Sequence, residues 1–120
     1  MSKKLLFGFG DILSLDAWLD YFEERGYEVD GAASGEDLFL TAKSFKPDVV
    51  VLEYKLKGEM DGLGVYCGLI SDFPDLSLVL ICDLSVEAMK KMNNKFVRSA
   101  GVLGVIKPVE LSFEAVEELL

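Results

Sequence analysis

Residues Pro47-Asp48-Val49-Val50-Val51-Leu52-Glu53 contain four consecutive apolar positions between a helix-breaking proline and an acidic residue. A run that is apolar on both faces is typical of a parallel strand that helices cover on each side, because an exposed antiparallel strand would alternate apolar with polar residues. Similar runs occur at Leu5 to Phe9, Leu78 to Cys82 and Val102 to Ile106, and Tyr27 to Val29 is a weaker fifth candidate. The chain is therefore predicted to form five strands.

Segments with helical periodicity separate these strands. The first carries one apolar stripe with the spacing i, i+3, i+4 and i+7 and then a glycine stop, at Leu15, Trp18, Leu19, Phe22 and Gly26. Four more helices are predicted, from Ser34 to before Pro47, from Asp61 to Ser71, from Ser85 to Ser99, and from about Glu110 to the last residue.

Strand and helix alternate five times without a linker, a repeat or a low-complexity tract. That order predicts an α/β fold, namely a flavodoxin-like, doubly wound, five-stranded parallel sheet in a three-layer (βα)5 sandwich. The 120 residues suffice for one continuous core, so we expect a single domain over residues 1–120. The short fifth helix is compatible both with a free-standing domain and with the N-terminal domain of a longer protein.

Composition excludes several classes of function. The net charge is −9 and the isoelectric point is about 4.4, so the surface repels phosphate backbones and direct nucleic-acid binding is not expected. No apolar stretch is long enough to span a membrane and no export signal is recognisable, which predicts a cytoplasmic protein. Histidine is absent, which excludes Ser-His catalysis and histidine zinc sites. Cys67 and Cys82 form no CxxC pair and are expected to be free thiols.

Five short motifs occur in a specific order, although each alone is degenerate. In chain order they are Gly26-Tyr27-Glu28-Val29, Ser34-Gly35-Glu36, residues 47–53 followed by Met60-Asp61-Gly62-Leu63, Ala100-Gly101 and Lys107-Pro108. With these motifs the chain resembles, along essentially its whole length, a receiver domain of the response-regulator family.

The resemblance implies a site that takes a phosphoryl group from a histidine kinase onto an aspartate at the end of the third strand, with Mg²⁺ held by an acidic pair after the first strand. Here the acidic pair falls on Phe9 and Gly10, which offer no side-chain oxygen to a metal that requires oxygen ligands. Asp11 lies one position too late and is expected to cap the following helix. The phosphoacceptor position carries Glu53, one methylene longer than aspartate. Because in-line transfer depends on placement to within about 1 Å, we expect no acyl phosphate.

The resemblance also assigns the residues that would transmit a signal. Lys107 matches the family's lysine, and we expect it to form an ion pair with Glu53 and to precede Pro108 through a cis peptide bond. Cys82 stands at the switch Ser/Thr position, where it is expected to be a small buried residue and at most a weak hydrogen-bond donor. Gly104 stands at the position of the switch aromatic residue and has no side chain to move.

These departures predict an atypical receiver, or pseudo-receiver, of two-component phosphorelay signalling, with no catalytic residue, no metal and no cofactor. We expect a phosphorylation-independent protein-interaction module and not an enzyme. Its partner, another protein or a second copy of the chain, is expected at the face formed by the fourth helix, the fifth strand and the fifth helix. No membrane contact is expected.

Two alternatives stay open. A degenerate site would keep Mg²⁺-dependent phosphoacceptor activity if Asp11, Glu53 and the backbone carbonyl of Lys55 bound the metal, with Glu53 or Asp61 accepting the phosphoryl group. Less favoured is a flavodoxin-like nucleotide or flavin binder, because Gly8-Phe9-Gly10 after the first strand is similar to a phosphate-binding loop that lacks its third glycine.

Overall fold

The computed structural model of the protein describes residues 3–56, 61–83 and 101–120. Five strands in these ranges form one sheet: β1 (Lys4–Gly8), β2 (Glu28–Ala32), β3 (Val49–Glu53), β4 (Ser77–Ile81) and β5 (Val102–Ile106). All neighbouring strands are parallel and their order is β2-β1-β3-β4-β5. The predicted five-stranded parallel sheet is confirmed, including the weak second strand.

Four α-helices are described, and a side-chain oxygen at the N-cap of each accepts a backbone N–H. They are α1 (Ile12–Glu24), α2 (Gly35–Phe45), α3 (Gly62–Asp72) and the C-terminal helix (Phe113–Leu119), capped by Asp11, Ser34, Asp61 and Ser112 respectively. The predicted fourth helix, Ser85 to Ser99, lies outside the described residues. None of the helices in the described ranges is both long and apolar enough to cross a bilayer.

The segment after β5 differs from the prediction in two ways. A 3₁₀ turn occupies Pro108–Glu110, and the fifth predicted helix begins only at Phe113, where the Ser112 hydroxyl accepts the Ala115 N–H at 3.0 Å. The predicted cis bond before Pro108 is wrong, because the described peptide bonds are all trans. A proline is well suited to the first position of a helical turn, where its fixed φ fits and its missing N–H is not needed.

Two hydrophobic cores lie on opposite faces of the sheet, because successive side chains of a strand point to opposite sides. In β3, Val49 and Val51 belong to the core that includes residues of α1 and the C-terminal helix. Val50 and Leu52 belong to the core that includes residues of α2 and α3. This three-layer arrangement confirms the predicted flavodoxin-like fold class. It also explains why the strands are continuously apolar.

Candidate functional site

The carboxyl ends of the parallel strands meet at one edge of the sheet, which is where ligands bind in open α/β sheets. A cleft of about 350 Å³ opens at this edge, around the ends of β3 and β4 and the turn after β5. Its lining residues are Glu53, Tyr54, Lys55, Ile81, Cys82, Asp83 and Pro108. The structure thus brings together two of the predicted site residues, Glu53 and Cys82.

Phe9 lies in the core and not in the cleft. Its side chain is 1% exposed, and its ring centroid lies 6.0 Å from that of Phe7 and 5.2 Å from that of Trp18. It continues the alternation of β1, in which Leu5 and Phe7 face the same core. Position 9, which the resemblance assigns to the first residue of an acidic pair, is therefore occupied by an aromatic residue of the core.

Gly10 binds Glu53 through its backbone. The Gly10 N–H donates to Glu53 Oε1 at 3.0 Å, across 43 residues of sequence. This hydrogen bond joins the loop between β1 and α1 to the carboxyl end of β3. A hydrogen bond to a charged acceptor is stronger than one between neutral groups. While Glu53 is ionised, this bond therefore holds the loop after β1 and the end of β3 in one relative position.

Burial sets the protonation behaviour of Glu53. Partial burial raises the pKa of the Glu53 carboxyl above its usual value, and the nearby charge of Asp11 adds to this effect. The hydrogen bond from Gly10 acts in the opposite direction because it favours the charged form, but it does not outweigh burial. No cation in the described part of the chain is among the causes of the shift.

Asp11 is committed to the start of α1. Its Oδ1 accepts the Leu13 N–H at 3.1 Å and its Oδ2 accepts the Ser14 hydroxyl at 3.1 Å, as expected for a helix cap. Neither Phe9 nor Gly10 has a side-chain oxygen, so the two residues that the resemblance assigns to an acidic pair do not fit a Mg²⁺ ion. In the described ranges, no group of three or more His, Cys, Asp or Glu side chains is placed to hold a metal.

The predicted ion pair between Glu53 and Lys107 is wrong. Both residues are described, yet no nitrogen of Lys107 lies within 4.0 Å of the Glu53 carboxylate, and Lys107 is exposed. An exposed ammonium group gains little from such a pair, because water solvates it well. Glu53 instead accepts the Gly10 N–H from the loop after β1, the strand adjacent to β3.

Comparison with known proteins yields matches in structure only. No family model matches the sequence, and no curated protein is detectably similar to it. The fold is similar to a CheY-like receiver domain protein of Methanospirillum hungatei JF-1, with a TM-score of 0.80, 19% identity and coverage of 98% of this chain and 90% of that one. It is also similar to the chemotaxis response regulator CheY4 of Vibrio cholerae, with a TM-score of 0.79, 18% identity and complete coverage of both chains, 100% each.

A third similar structure is a response regulator of Burkholderia pseudomallei that carries a phosphorylated aspartic acid, a calcium ion and citrate. The TM-score is 0.81 at 18% identity, over 99% of this chain and 66% of that one. The chain has the receiver-domain fold. The order of the described strands and helices is the order that the receiver resemblance implied.

Gly104 of this receiver fold is covered by a side chain from the C-terminal helix. A Cβ built on Gly104 would lie 2.8 Å from Leu119 Cδ1 and 3.1 Å from Leu119 Cδ2. An irregularity in the pairing of β5 with β4 precedes it, so that Val102 pairs with Leu78 but Gly104 with Val79. Leu119 thus occupies space that a larger side chain at position 104 would need.

Cys82 is buried, as the sequence suggested. It is 4% exposed, belongs to the core that includes α2 and α3, and also lines the cleft. Tyr54 beside it was not predicted as a site residue, although its position directly after β3 is a usable signal. Burial and the carboxylate of Asp61 raise the pKa of Tyr54, so its phenol stays neutral at physiological pH.

Gly8 at the end of β1 and Gly10 after it have structural explanations in this receiver fold. A Cβ on Gly8 would lie 2.5 Å from Leu52 Cδ2 and 2.8 Å from Leu38 Cδ1, so Gly8 allows close packing within the core. The N–H of Gly10 is directed to Glu53. Neither glycine requires the phosphate-binding explanation on which the flavin alternative depended.

Proposed function

We propose that the chain is an atypical receiver that acts in two-component signalling as a cytoplasmic protein-interaction module, and that its output does not depend on phosphorylation. In this proposal it is not an enzyme and uses no metal or cofactor. Its acidic surface, with a net charge of −9, disfavours direct nucleic-acid binding.

One observation carries the proposal: Glu53 occupies the phosphoacceptor position and its carboxylate accepts the Gly10 N–H. The resemblance implies that an aspartate at this position carries one negative charge and that a phosphoryl group adds further charge and acceptor oxygens only transiently. In this chain the carboxylate of Glu53 extends one methylene further, and its hydrogen bond links it to the loop after β1. A carboxylate that is already bound to the neighbouring loop favours one conformation and not a switch.

The positions that would relay a switch support the same proposal. Gly104 has no side chain and is covered by Leu119, and Cys82 offers only a weak hydrogen-bond donor within the core. A phosphoryl group at residue 53 would find neither a hydroxyl at position 82 nor a mobile ring at position 104. Neither of these two positions would then transmit the effect of phosphorylation to the surface.

The test of phosphorylation is incubation with acetyl phosphate and Mg²⁺, followed by intact-mass measurement. An aspartate-bearing receiver is the positive control, and the Glu53→Gln variant is the matched control because it keeps the acceptor oxygen for Gly10 but cannot form an acyl phosphate. We expect unmodified protein for both forms of this chain. A gain of one phosphoryl mass that Glu53→Gln abolishes would contradict the proposal and favour the degenerate phosphoacceptor.

The partner surface is proposed at the face that includes β5 and the C-terminal helix, and the fourth helix of that face lies outside the described residues. β5 is an edge strand of the described sheet, and Leu103 in it is 37% exposed. If the partner is a second copy, Leu103→Asp should weaken dimerisation in sedimentation equilibrium. Leu40→Asp, on α2 and 64% exposed, is the control. Equal loss in both variants would contradict this location.

A further inference from the structure

The cleft combines opposite kinds of surface in a small volume. Glu53 and Asp83 contribute carboxylates, Lys55 contributes an ammonium group, and the remaining lining is mainly apolar or aromatic, from Tyr54, Ile81, Cys82 and Pro108. A volume of about 350 Å³ lies at the lower end of the range for ligand pockets, so it suits one side chain better than a nucleotide.

The two carboxylates of the cleft are not neutralised by the described part of the chain. Within those residues no basic nitrogen lies within 4.0 Å of either carboxylate, whereas Arg25 is paired with Glu117 at 3.7 Å elsewhere on the surface. Gly10 N–H donates to Oε1 of Glu53, which leaves Oε2 for another donor. The cleft therefore has acceptor capacity for a cation.

Exposed apolar side chains occur in two segments that are connected to the cleft. Ile12 and Leu13, which are 56% and 80% exposed, follow directly after the loop that is hydrogen-bonded to Glu53. Val109 is 88% exposed and follows Pro108, which lines the cleft. Exposed apolar residues around a polar centre are typical of a surface that contacts another protein.

We propose that this edge binds a partner segment that inserts one arginine side chain into the cleft, with apolar residues of the segment contacting Ile12, Leu13 and Val109. Charge complementarity selects the occupant: two carboxylates against one ammonium leave the cleft acidic, on a chain of net charge −9. The inference deepens the proposed function, on which it rests, by naming the chemistry of the partner.

Arginine fits this lining better than lysine. Its planar guanidinium is weakly hydrated, donates several hydrogen bonds in a fixed geometry and stacks on aromatic rings. Glu53 Oε2 and the Asp83 carboxylate supply acceptors, and the ring of Tyr54 supplies an aromatic wall. Lys55 lines the same cleft and repels any cation. This repulsion is weaker for a guanidinium, whose charge is spread over several atoms, than for a compact ammonium group.

The experiment is a titration of ¹⁵N-labelled protein with the peptide acetyl-Gly-Ser-Leu-Arg-Leu-Ser-Gly-amide, followed by amide chemical shifts. The control peptide carries citrulline, which has the shape of arginine without its charge. The Gly10 amide is a direct reporter because it donates to Glu53. We expect saturable shifts at Gly10, Tyr54 and Asp83 with the arginine peptide, weaker binding with a lysine peptide, and none with the citrulline peptide.

Variants separate the cleft from general attraction to an acidic protein. Asp83→Asn should weaken binding by about two- to fivefold, as expected for losing one exposed charge partner. Glu24→Gln removes the same charge at the far end of α1, where the residue is exposed, and should leave affinity unchanged. Equal effects of the two variants, or equal binding of the arginine and citrulline peptides, would overturn the inference.

The result is distinguishable from a failure of the proposed function. If the arginine peptide does not bind but acetyl phosphate leaves the protein unmodified, only the partner chemistry is wrong. If Glu53 becomes phosphorylated, the proposed function fails whatever the peptide does.

Discussion

Replacing Phe9 with aspartate, the kind of residue that the receiver resemblance implies at this position, is expected to remove most of the stability of the fold. Phe9 is 1% exposed and its ring packs against Phe7 and Trp18. Truncating a buried phenylalanine costs about 3–5 kcal/mol, and an aspartate would add an ionisable group to an apolar cluster. We expect a loss of at least about 4 kcal/mol, out of a total of about 5–15 kcal/mol for a typical domain.

Urea unfolding at pH 7 measures this loss. Trp18 is the only tryptophan and is 7% exposed, so its fluorescence reports directly on the packing around Phe9. With a slope of roughly 2 kcal/mol per molar urea, the midpoint should fall by about 2 M or more. The control Phe9→Leu keeps an apolar side chain and should cost about 1.5 kcal/mol.

A Phe9→Asp midpoint within about 0.5 M of the wild-type value would refute the reasoning, because at this slope it corresponds to a loss of only about 1 kcal/mol. It would mean that the side chain at position 9 leaves the core at little cost. An aspartate there could then face the carboxyl edge of the sheet, and the conclusion that this edge does not fit Mg²⁺ would fall with it.

Two further predictions concern the cleft. The raised pKa of Glu53 means that the folded state holds this proton more tightly than the unfolded state, so its contribution to stability is present below the usual value of 4.5 and is lost as the pH rises through the folded-state pKa. Glu53→Gln should remove that decline and be more stable than the wild type at pH 7 but not below pH 4.5; parallel pH profiles in thermal unfolding would contradict this. A Cβ on Gly62 would lie 2.5 Å from the backbone oxygen of Glu53, whereas one on Gly64 would meet, among the described residues, only Asp61 Oδ1 at 3.4 Å. Gly62→Ala should therefore be destabilising and Gly64→Ala neutral or stabilising by about 0.5–1 kcal/mol in urea unfolding, and the opposite order would refute the geometry.

Much of the candidate site followed from local sequence patterns. Asp61 before Gly62 indicated a helix cap, and the structure has Asp61 accepting the Gly64 N–H at 2.8 Å. Asp11 was likewise assigned to the start of α1 and lies there. Such contacts join residues two or three positions apart, so their geometry depends on the backbone of one helix turn alone.

The partner of Glu53 could not be obtained in this way. The sequence offered Lys107 as the only family-matched cation, but Lys107 is exposed and forms no ion pair with Glu53. Gly10 carries no side chain and so gave no signal, yet its N–H is the group that Glu53 binds. Leu119 was missed because its role depends on which element lies next to it, whereas Tyr54 was missed although its position directly after β3 was a usable signal.

The sequence by itself determined the element order, the parallel sheet, the core-facing stripes and the absence of side-chain oxygens at positions 9 and 10. Apolar runs and helical spacing act locally, and only a few layered arrangements bury them all. Tertiary structure alone decided that Glu53 binds Gly10 and not Lys107, that Leu119 covers Gly104, and that Pro108 follows a trans bond. These features depend on distances of a few ångströms between elements far apart in the chain, and those distances are fixed only when the sheet and its helices pack together.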